Sequence, residues 1–299
     1  MKNTTTLALA IASIALCAVP RADAVIYGYY IGTDKMATFT TGTYAGLPNP
    51  NHNRLTLLYA HSYPVNPPPG EIDASINHFH SVGSLRYTGP ASAPGIVFGN
   101  SRIPEGARPA IPLQQGSAAF AGRLVSTPLS DPVIGEYTNL TFSPLSQLRA
   151  FHLNGIPNEP EDYMYFGQVH PTNPALSTAA SNQRFSTTSL AGSDVHFNLV
   201  SITPGLNVAN SAGISLYNAP GDEFHLGDGD SFTLFEPHFW TDATAAPGTY
   251  SATFKMTDAN GLFGDSGEFR WEFTVVPEPG SAVTATLAGL VLMARRRRS

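Results

Sequence analysis

Tyr250-Ser-Ala-Thr-Phe-Lys-Met256 and Phe269-Arg-Trp-Glu-Phe-Thr-Val275 are the stretches that decide the fold of this chain. In both, apolar and polar residues alternate, and alternate side chains of an extended strand point to opposite faces. Between them lies Asp258-Ala-Asn-Gly261, which is typical of a turn. The two stretches therefore predict a pair of half-buried antiparallel strands.

The rest of the chain repeats this pattern in shorter pieces. Alternation is clear over 194–202, where Val195, Phe197 and Leu199 are the apolar members. No window shows a sustained apolar period of 3.6 residues, so almost no helix is expected. Further strands are predicted at 25–31, 38–44, 54–60, 76–87, 120–125, 137–142 and 164–169. The pattern predicts an all-β fold, specifically a β-sandwich of which the immunoglobulin-like arrangement is one form.

Composition limits what residues 25–276, the body of the chain, can be. They are enough for one large domain or two small ones. The only cysteine is Cys17, so the body has no disulfide, no thiolate ligand and no Cys…Trp…Cys mark of true immunoglobulin domains. The whole chain of 299 residues has a formal net charge of −6, which disfavours nucleic acid as a partner and attracts cations.

The first 24 residues have the pattern of a secretory signal peptide. Lys2 precedes an apolar run over 7–19, and Ala22-Asp-Ala24 fits a cleavage site for signal peptidase. A buried N-terminal helix is the alternative, but the run has no cap and ends at Pro20. We therefore predict export.

The last residues, 277–299, form a three-part tail. Pro277-Glu278-Pro279 is followed by an apolar segment over 282–294 and then by four arginines. The segment is short of the roughly 20 residues that cross a bilayer comfortably. This tail resembles the PEP-CTERM sorting signal, which implies recognition by an exosortase, transient anchoring through a transmembrane helix, and a final place at the cell surface or in the extracellular matrix. An ordinary tail anchor would leave Pro-Glu-Pro unexplained.

Three histidines lie close together in the first third of the chain. His78 and His80 are two apart, so on a strand both imidazoles share a face, and His61 ends a neighbouring predicted strand. Imidazole nitrogens suit zinc, copper and nickel. We predict a zinc site formed by His61, His78 and His80; the alternative is solvated histidines in a proline-rich region.

Three other histidines follow a carboxylate by two positions and share a strand face with it. Such a carboxylate can ligate the metal or orient the imidazole, although a surface ion pair is an equally simple explanation. His196 and His238 are the candidates for a fourth zinc ligand. The three pairs are Asp194 with His196, Glu223 with His225, and Glu236 with His238.

No motif of nucleophilic catalysis is present, and no general base stands at a diagnostic spacing. Asp228-Gly-Asp230 lacks the pattern of an EF-hand calcium loop and is better explained as a turn. These observations predict a protein that is not an enzyme.

Several blocks in the body are similar to the zinc-uptake-regulator-repressed PEP-CTERM protein family. This resemblance implies synthesis under zinc starvation and capture or holding of zinc outside the cytoplasm. A structural or adhesive matrix protein is the alternative, and a zinc-dependent hydrolase is a third. The blocks are Gly42-Thr-Tyr-Ala-Gly-Leu-Pro-Asn-Pro-Asn-His-Asn-Arg-Leu-Thr56, Leu58-Tyr-Ala-His-Ser-Tyr-Pro64, Asp194-Val-His196, Thr203-Pro-Gly-Leu-Asn207, Pro220-Gly-Asp-Glu-Phe-His-Leu226 and Phe239-Trp-Thr-Asp-Ala-Thr-Ala-Ala-Pro-Gly-Thr-Tyr250.

Overall fold

A computed structural model describes a large part of the body of the chain. The segments 1–24 and 277–299, the strand predicted at 164–169, and both His61 and His78 lie outside the described residues. The described residues are 29–34, 36–39, 42–60, 79–98, 101–104, 106, 108–126, 137–145 and 189–276.

About half of these residues lie in β-strands and very few are helical, which confirms the all-β prediction. The one helical element described is a 3-10 turn at Ala118–Phe120, and no described helix is long and apolar enough to span a bilayer. The strands are β1 Tyr29–Thr33, β2 Leu55–Ala60, β3 Phe79–Val82, β4 Leu85–Thr88, β5 Gly95–Phe98, β6 Arg102–Ile103, β7 Ile111–Pro112, β8 Gln114–Gln115, β9 Arg123–Val125, β10 Phe142–Pro144, β11 Asp194–Ile202, β12 Asn207–Ala209, β13 Glu223–Asp228, β14 Ser231–Phe232, β15 His238–Asp242, β16 Gly248–Asp258 and β17 Phe269–Val275.

The strands form three larger sheets and one ribbon. The seven-stranded sheet has the order β14-β13-β11-β16-β17-β6, with β7 also paired to β17. The two four-stranded sheets have the orders β10-β1-β2-β3 and β12-β15-β9-β8, and β4 pairs with β5 alone. The seven-stranded sheet carries β11 in its interior, between β13 and β16.

The two stretches that dominate the sequence pair as predicted. β16 and β17 are antiparallel, with Ala252 opposite Trp271 and Phe254 opposite Phe269. The apolar set of β17 is buried along its whole length, while the intervening residues are exposed or half-buried. Burial of this one face explains why the alternation was readable.

Trp271 lies at the centre of the buried core. Its Nε1 donates to the Tyr29 hydroxyl at 3.3 Å and to the Tyr137 carbonyl at 3.2 Å. Tyr29 in turn donates to the same Tyr137 carbonyl at 3.1 Å. Residues from β1, β2, β11, β15, β16 and β17 belong to one hydrophobic cluster, so strands from both ends of the described chain share a core.

The described residues of the segment 38–44 form a loop and not the strand that its sequence predicted. Two backbone hydrogen bonds of Phe39 close a loop. Its N–H donates to the Leu47 carbonyl at 3.0 Å, and its carbonyl accepts the Gly46 N–H at 2.8 Å. Gly42 and Gly46 have positive φ values of 80° and 87°, which favour glycine. The glycines therefore turn the chain where the β-forming threonines and tyrosine favoured a strand.

Candidate metal centre

The candidate site lies where β11 and β13 pair on the outer face of the seven-stranded sheet. Along β11, Val195 and Phe197 are buried, so Asp194 and His196 lie on the opposite, outer face. β13 runs antiparallel to β11, and its register places His225 directly across from His196. The pairing thus joins two Asp/Glu-x-His segments that are far apart in the sequence.

A β-bulge in β13 shapes this outer face. The register shifts between Val195 and His196, because Val195 pairs with Gly227 while His196 pairs with His225. Leu226 is therefore the extra residue, and it is fully buried. Gly227 has φ +149°, and a Cβ there would come within 2.1 Å of the Ser231 carbonyl oxygen, so only glycine fits the bulge.

One oxygen of Asp194 contacts both imidazoles. Asp194 Oδ1 lies 2.9 Å from His196 Nε2 and 3.0 Å from His225 Nε2. The two rings are 5.1 Å apart between centroids and are tilted by 40°. Because an ionised carboxylate only accepts hydrogen bonds, His196 Nε2 donates to Oδ1, whereas His225 Nε2 lies within ion-pair distance of the same oxygen.

These three side chains have the spacing of a metal-binding group. Their donor atoms all lie within 4.8 Å of one another. A tetrahedral zinc ion with bonds of about 2.0–2.1 Å separates its ligand atoms by roughly 3.3 Å. The two measured contacts are a few tenths of an ångström shorter, so a small rotation of the side chains would admit an ion between them.

Two further carboxylates flank the triad from β13. Glu223 Oε1 lies 3.4 Å from His196 Nδ1, and Asp228 Oδ1 lies 3.6 Å from His225 Nε2. His196 Nδ1 is shielded from solvent and makes no hydrogen bond. Because three carboxylates surround two imidazoles, the site favours a cation.

Comparison of the chain with protein-family models, with curated proteins and with solved structures finds no match. The chemistry of the site therefore follows from its own residues.

Asp258 holds the start of β11 in place. Its Oδ1 accepts the backbone N–H of Asp194 at 2.8 Å, and its two oxygens accept three more N–H groups from the turn after β16. Burial by itself would raise the pKa of the Asp258 carboxyl, but these backbone donors hold that pKa below its ordinary value. The carboxylate of Asp258 is thus committed to the backbone and positions Asp194.

The cation nearest to this face along β16 is directed elsewhere. Lys255 lies across from Asn198 in the register of β11 and β16. Its Nζ is 3.3 Å from Asp265 Oδ2. Lys255 therefore pairs with Asp265, and its charge is directed away from the triad.

His238 lies in a different sheet from His196. It begins β15, its ring stacks on Phe120 with centroids 5.6 Å apart, and its Nδ1 donates to the Glu236 carbonyl at 2.9 Å. The Glu236 carboxylate instead accepts a hydrogen bond from the Thr141 hydroxyl at 2.8 Å. The candidate metal-binding group among the described residues contains His196 and does not include His238.

The predicted site at His61, His78 and His80 stays a prediction. His61 and His78 lie outside the described residues. His80 lies in β3, where its backbone pairs with that of Tyr59 in β2. Asp194 and His225 were absent from the predicted ligand set, although both belong to carboxylate–histidine pairs visible in the sequence. The missing signal was the pairing of β11 with β13.

Proposed function

We propose that this protein binds zinc without being an enzyme, with Asp194, His196 and His225 as its protein ligands. The observation that carries the proposal is one carboxylate oxygen within 3.0 Å of imidazole nitrogens from two neighbouring strands. Calcium and magnesium prefer oxygen ligands, whereas two imidazoles and one carboxylate suit zinc. Iron(II) and copper(II) accept the same donors, so the metal must be identified by experiment.

The flanking carboxylate of Glu223 supports zinc ligation by His196. To bind zinc through Nε2, neutral His196 must adopt the tautomer that carries its single proton on Nδ1. Glu223 Oε1, 3.4 Å from Nδ1, is placed to accept that proton in a hydrogen bond. A carboxylate behind a ligating histidine fixes the ring and raises its basicity, which strengthens metal binding.

Capture from the surroundings is the role that the exposure of the site supports. The side chains on β11 are sheltered, with His196 16% and Asp194 28% exposed, whereas His225 on β13 is 49% exposed. An ion can therefore reach the triad from solvent. The surplus of carboxylates attracts divalent cations, and proteins that hold zinc for exchange leave a coordination position open.

We propose that the protein is exported and held at the cell surface, where zinc would be captured. The support is the signal-peptide pattern over 1–24 and the Pro-Glu-Pro tail over 277–299. Replacing Pro277, Glu278 and Pro279 by alanine should leave export intact and block tail processing. Normal processing of this variant, seen by its mobility on a gel beside the wild type, would contradict the sorting proposal.

We propose further that the sheets pack face to face as a β-sandwich. The support is the single buried cluster to which the seven-stranded sheet and both four-stranded sheets contribute. Such packing would leave the outer face of β11 and β13 in solvent, as a capture site requires.

The test of the zinc proposal is metal analysis of protein purified without added metal. We expect about one zinc per chain and little iron or copper. The matched variants are His196→Ala with His225→Ala, which should be free of zinc, and His238→Ala, which should retain it. Protein that holds no stoichiometric metal, or the same metal in all three samples, would contradict the proposal.

A further inference from the structure

Asp228 is the most exposed carboxylate beside the triad. Its side chain is 82% exposed, against 56% for Glu223 and 28% for Asp194. Its Oδ1 lies 3.6 Å from His225 Nε2, so it approaches the triad from the solvent side of β13. Asp228 therefore stands at the rim of the triad, next to one of its ligands.

The bulge in β13 is what brings Asp228 to this face. His225 and Asp228 are three residues apart and would point to opposite faces of a regular strand. Because Leu226 is an extra, inward-facing residue, the register places Asp228 opposite Asp194 while His225 stays opposite His196. The bulge thus adds a donor to the face that already carries the triad.

The backbone around Asp228 is fixed, whereas its side chain is largely exposed. Gly227 and Gly229 on either side have φ values of +149° and +58°, which favour glycine. The Gly229 N–H donates to the Ser193 carbonyl at 2.9 Å, which ties the β13–β14 turn to the segment before β11. Asp228 can therefore change side-chain rotamer without movement of the strand.

The distance to His225 fits a coordinating position. Adjacent ligand atoms of tetrahedral zinc are roughly 3.3 Å apart, and Asp228 Oδ1 is 3.6 Å from His225 Nε2. The triad supplies three donors, whereas closed zinc sites in proteins are four-coordinate. A rotation of the exposed Asp228 side chain would bring a fourth oxygen to the ion.

We propose that Asp228 is the exchangeable fourth ligand, which closes over zinc bound to Asp194, His196 and His225 and is the first to leave when zinc is released. This inference rests on the proposed zinc site. When Asp228 leaves, water or a donor from an acceptor molecule takes its position, and the ion stays on the three remaining ligands. The closed and the releasing forms of the site then differ only in whether the exposed Asp228 carboxylate is bound to the ion.

The test compares zinc release from the full-length chain and its variants. Zinc-loaded protein is mixed with an excess of a chromophoric chelator, and the release rate is followed by stopped flow. Loss of an outer partner of a metal ligand lowers affinity by about 10–100-fold, so removal of a ligand should cost at least about tenfold. We expect Asp228→Asn and Asp228→Ala to release zinc at least about tenfold faster than the wild type.

A matched control separates ligation from charge. Glu268 is an exposed carboxylate in the loop before β17, so Glu268→Gln removes the same charge outside the triad. Its release rate should equal that of the wild type. Cobalt(II) gives a second readout, because the position and intensity of its visible bands report the type and arrangement of its ligands, and Asp228→Asn should change those bands while Glu268→Gln should not.

The outcomes distinguish this inference from the zinc site itself. If the wild type and Asp228→Asn release zinc at equal rates with equal cobalt spectra, Asp228 is not a ligand and the three-residue site stands alone. If the rate changes equally in Asp228→Asn and Glu268→Gln, the effect is electrostatic and the inference is wrong. If the wild type holds no zinc, both the site and its fourth ligand are wrong.

Discussion

The two faces of β11 meet very different surroundings, although they alternate along one strand. On the inner face, Phe197 packs against the rings of Phe142, Phe235 and Phe254 with centroids 4.9–5.3 Å apart. On the outer face, His196 lies across from His225, and both rings contact one oxygen of Asp194. Apolar side chains can pack against many different partners, whereas the contacts on the outer face require the one register in which His196 pairs with His225. The inner face therefore carries stability, and we propose that the outer face carries function.

The largest expected effect comes from breaking the inner face. Phe197→Ala should lower the free energy of unfolding by about 3–5 kcal/mol, because it removes a fully buried ring from an aromatic cluster. Urea denaturation followed by tryptophan fluorescence measures this effect, since Trp271 lies in the same cluster. An unchanged unfolding midpoint would show that Phe197 is not a core residue.

An intermediate effect on stability is expected from Asp258, which holds the start of β11 in place. Asp258→Ala leaves the backbone N–H of Asp194 and those of the following turn without their acceptor. We expect a loss of about 1–3 kcal/mol in the free energy of unfolding, together with weaker zinc binding. Asp222→Ala, which removes a turn carboxylate bound to the N–H groups of Asn218 and Ala219, is the control and should leave zinc affinity unchanged. Equal zinc affinity in Asp258→Ala and the wild type would separate Asp258 from the site.

Acid should lower the stability of the fold through two carboxylates, Asp258 and Glu272, whose pKa values are below their ordinary values. Burial would raise the pKa of Glu272, but hydrogen bonds and charge from Arg102 and Arg270 hold it below its ordinary value, as the backbone does for Asp258. A carboxyl whose folded pKa is lowered contributes full stability above its unfolded pKa, about 4, and loses it as the pH falls through the folded value. Unfolding free energy, measured with chelator present, should therefore fall from pH 5 to pH 3. A shallower fall in Asp258→Asn and Glu272→Gln would support this account; an identical fall in both variants would contradict it.

The smallest expected effect on stability comes from the outer face. His196→Ala should lower the free energy of unfolding by about 0.5–1.5 kcal/mol without metal, because it removes one hydrogen bond, to the partly exposed Asp194 carboxylate, and no ring from the core. The same denaturation experiment in chelator measures it beside Phe197→Ala. A loss as large as that of Phe197→Ala would make His196 a structural residue.

The sequence predicted the faces of the central strands well. The strand predicted at 194–202 has the bounds of β11, and its alternation holds as far as Leu199, where the register shifts. β16 and β17 pair as expected, because each buries an apolar face. Prediction failed at 38–44, where Gly42 and Gly46 outweighed the β-forming residues between them. Periodicity reports which face is buried and is silent about turns closed by backbone bonds.

The candidate site was only partly predictable for a related reason. His196 was named as a metal ligand from its spacing to Asp194, and it does lie in the triad. Glu236 and His238 have the same spacing, yet His238 stacks on Phe120 and its neighbour's carboxylate turns to Thr141. Spacing places two side chains on one face, but the strand across the sheet decides what they meet. His225 reaches His196 through long-range pairing and a bulge, and neither is written in local pattern.

The most direct test of the central claim is isothermal titration of zinc into the full-length chain and two double variants at neutral pH. The first variant carries His196→Ala and His225→Ala, which removes both imidazoles from the outer face of β11 and β13. The second carries His78→Ala and His80→Ala, which removes the histidine pair that spacing alone favoured. We predict one tight zinc site in the wild type and the second variant, and its loss in the first. Tight binding that survives in the first variant and disappears in the second would place the zinc site elsewhere and contradict this account.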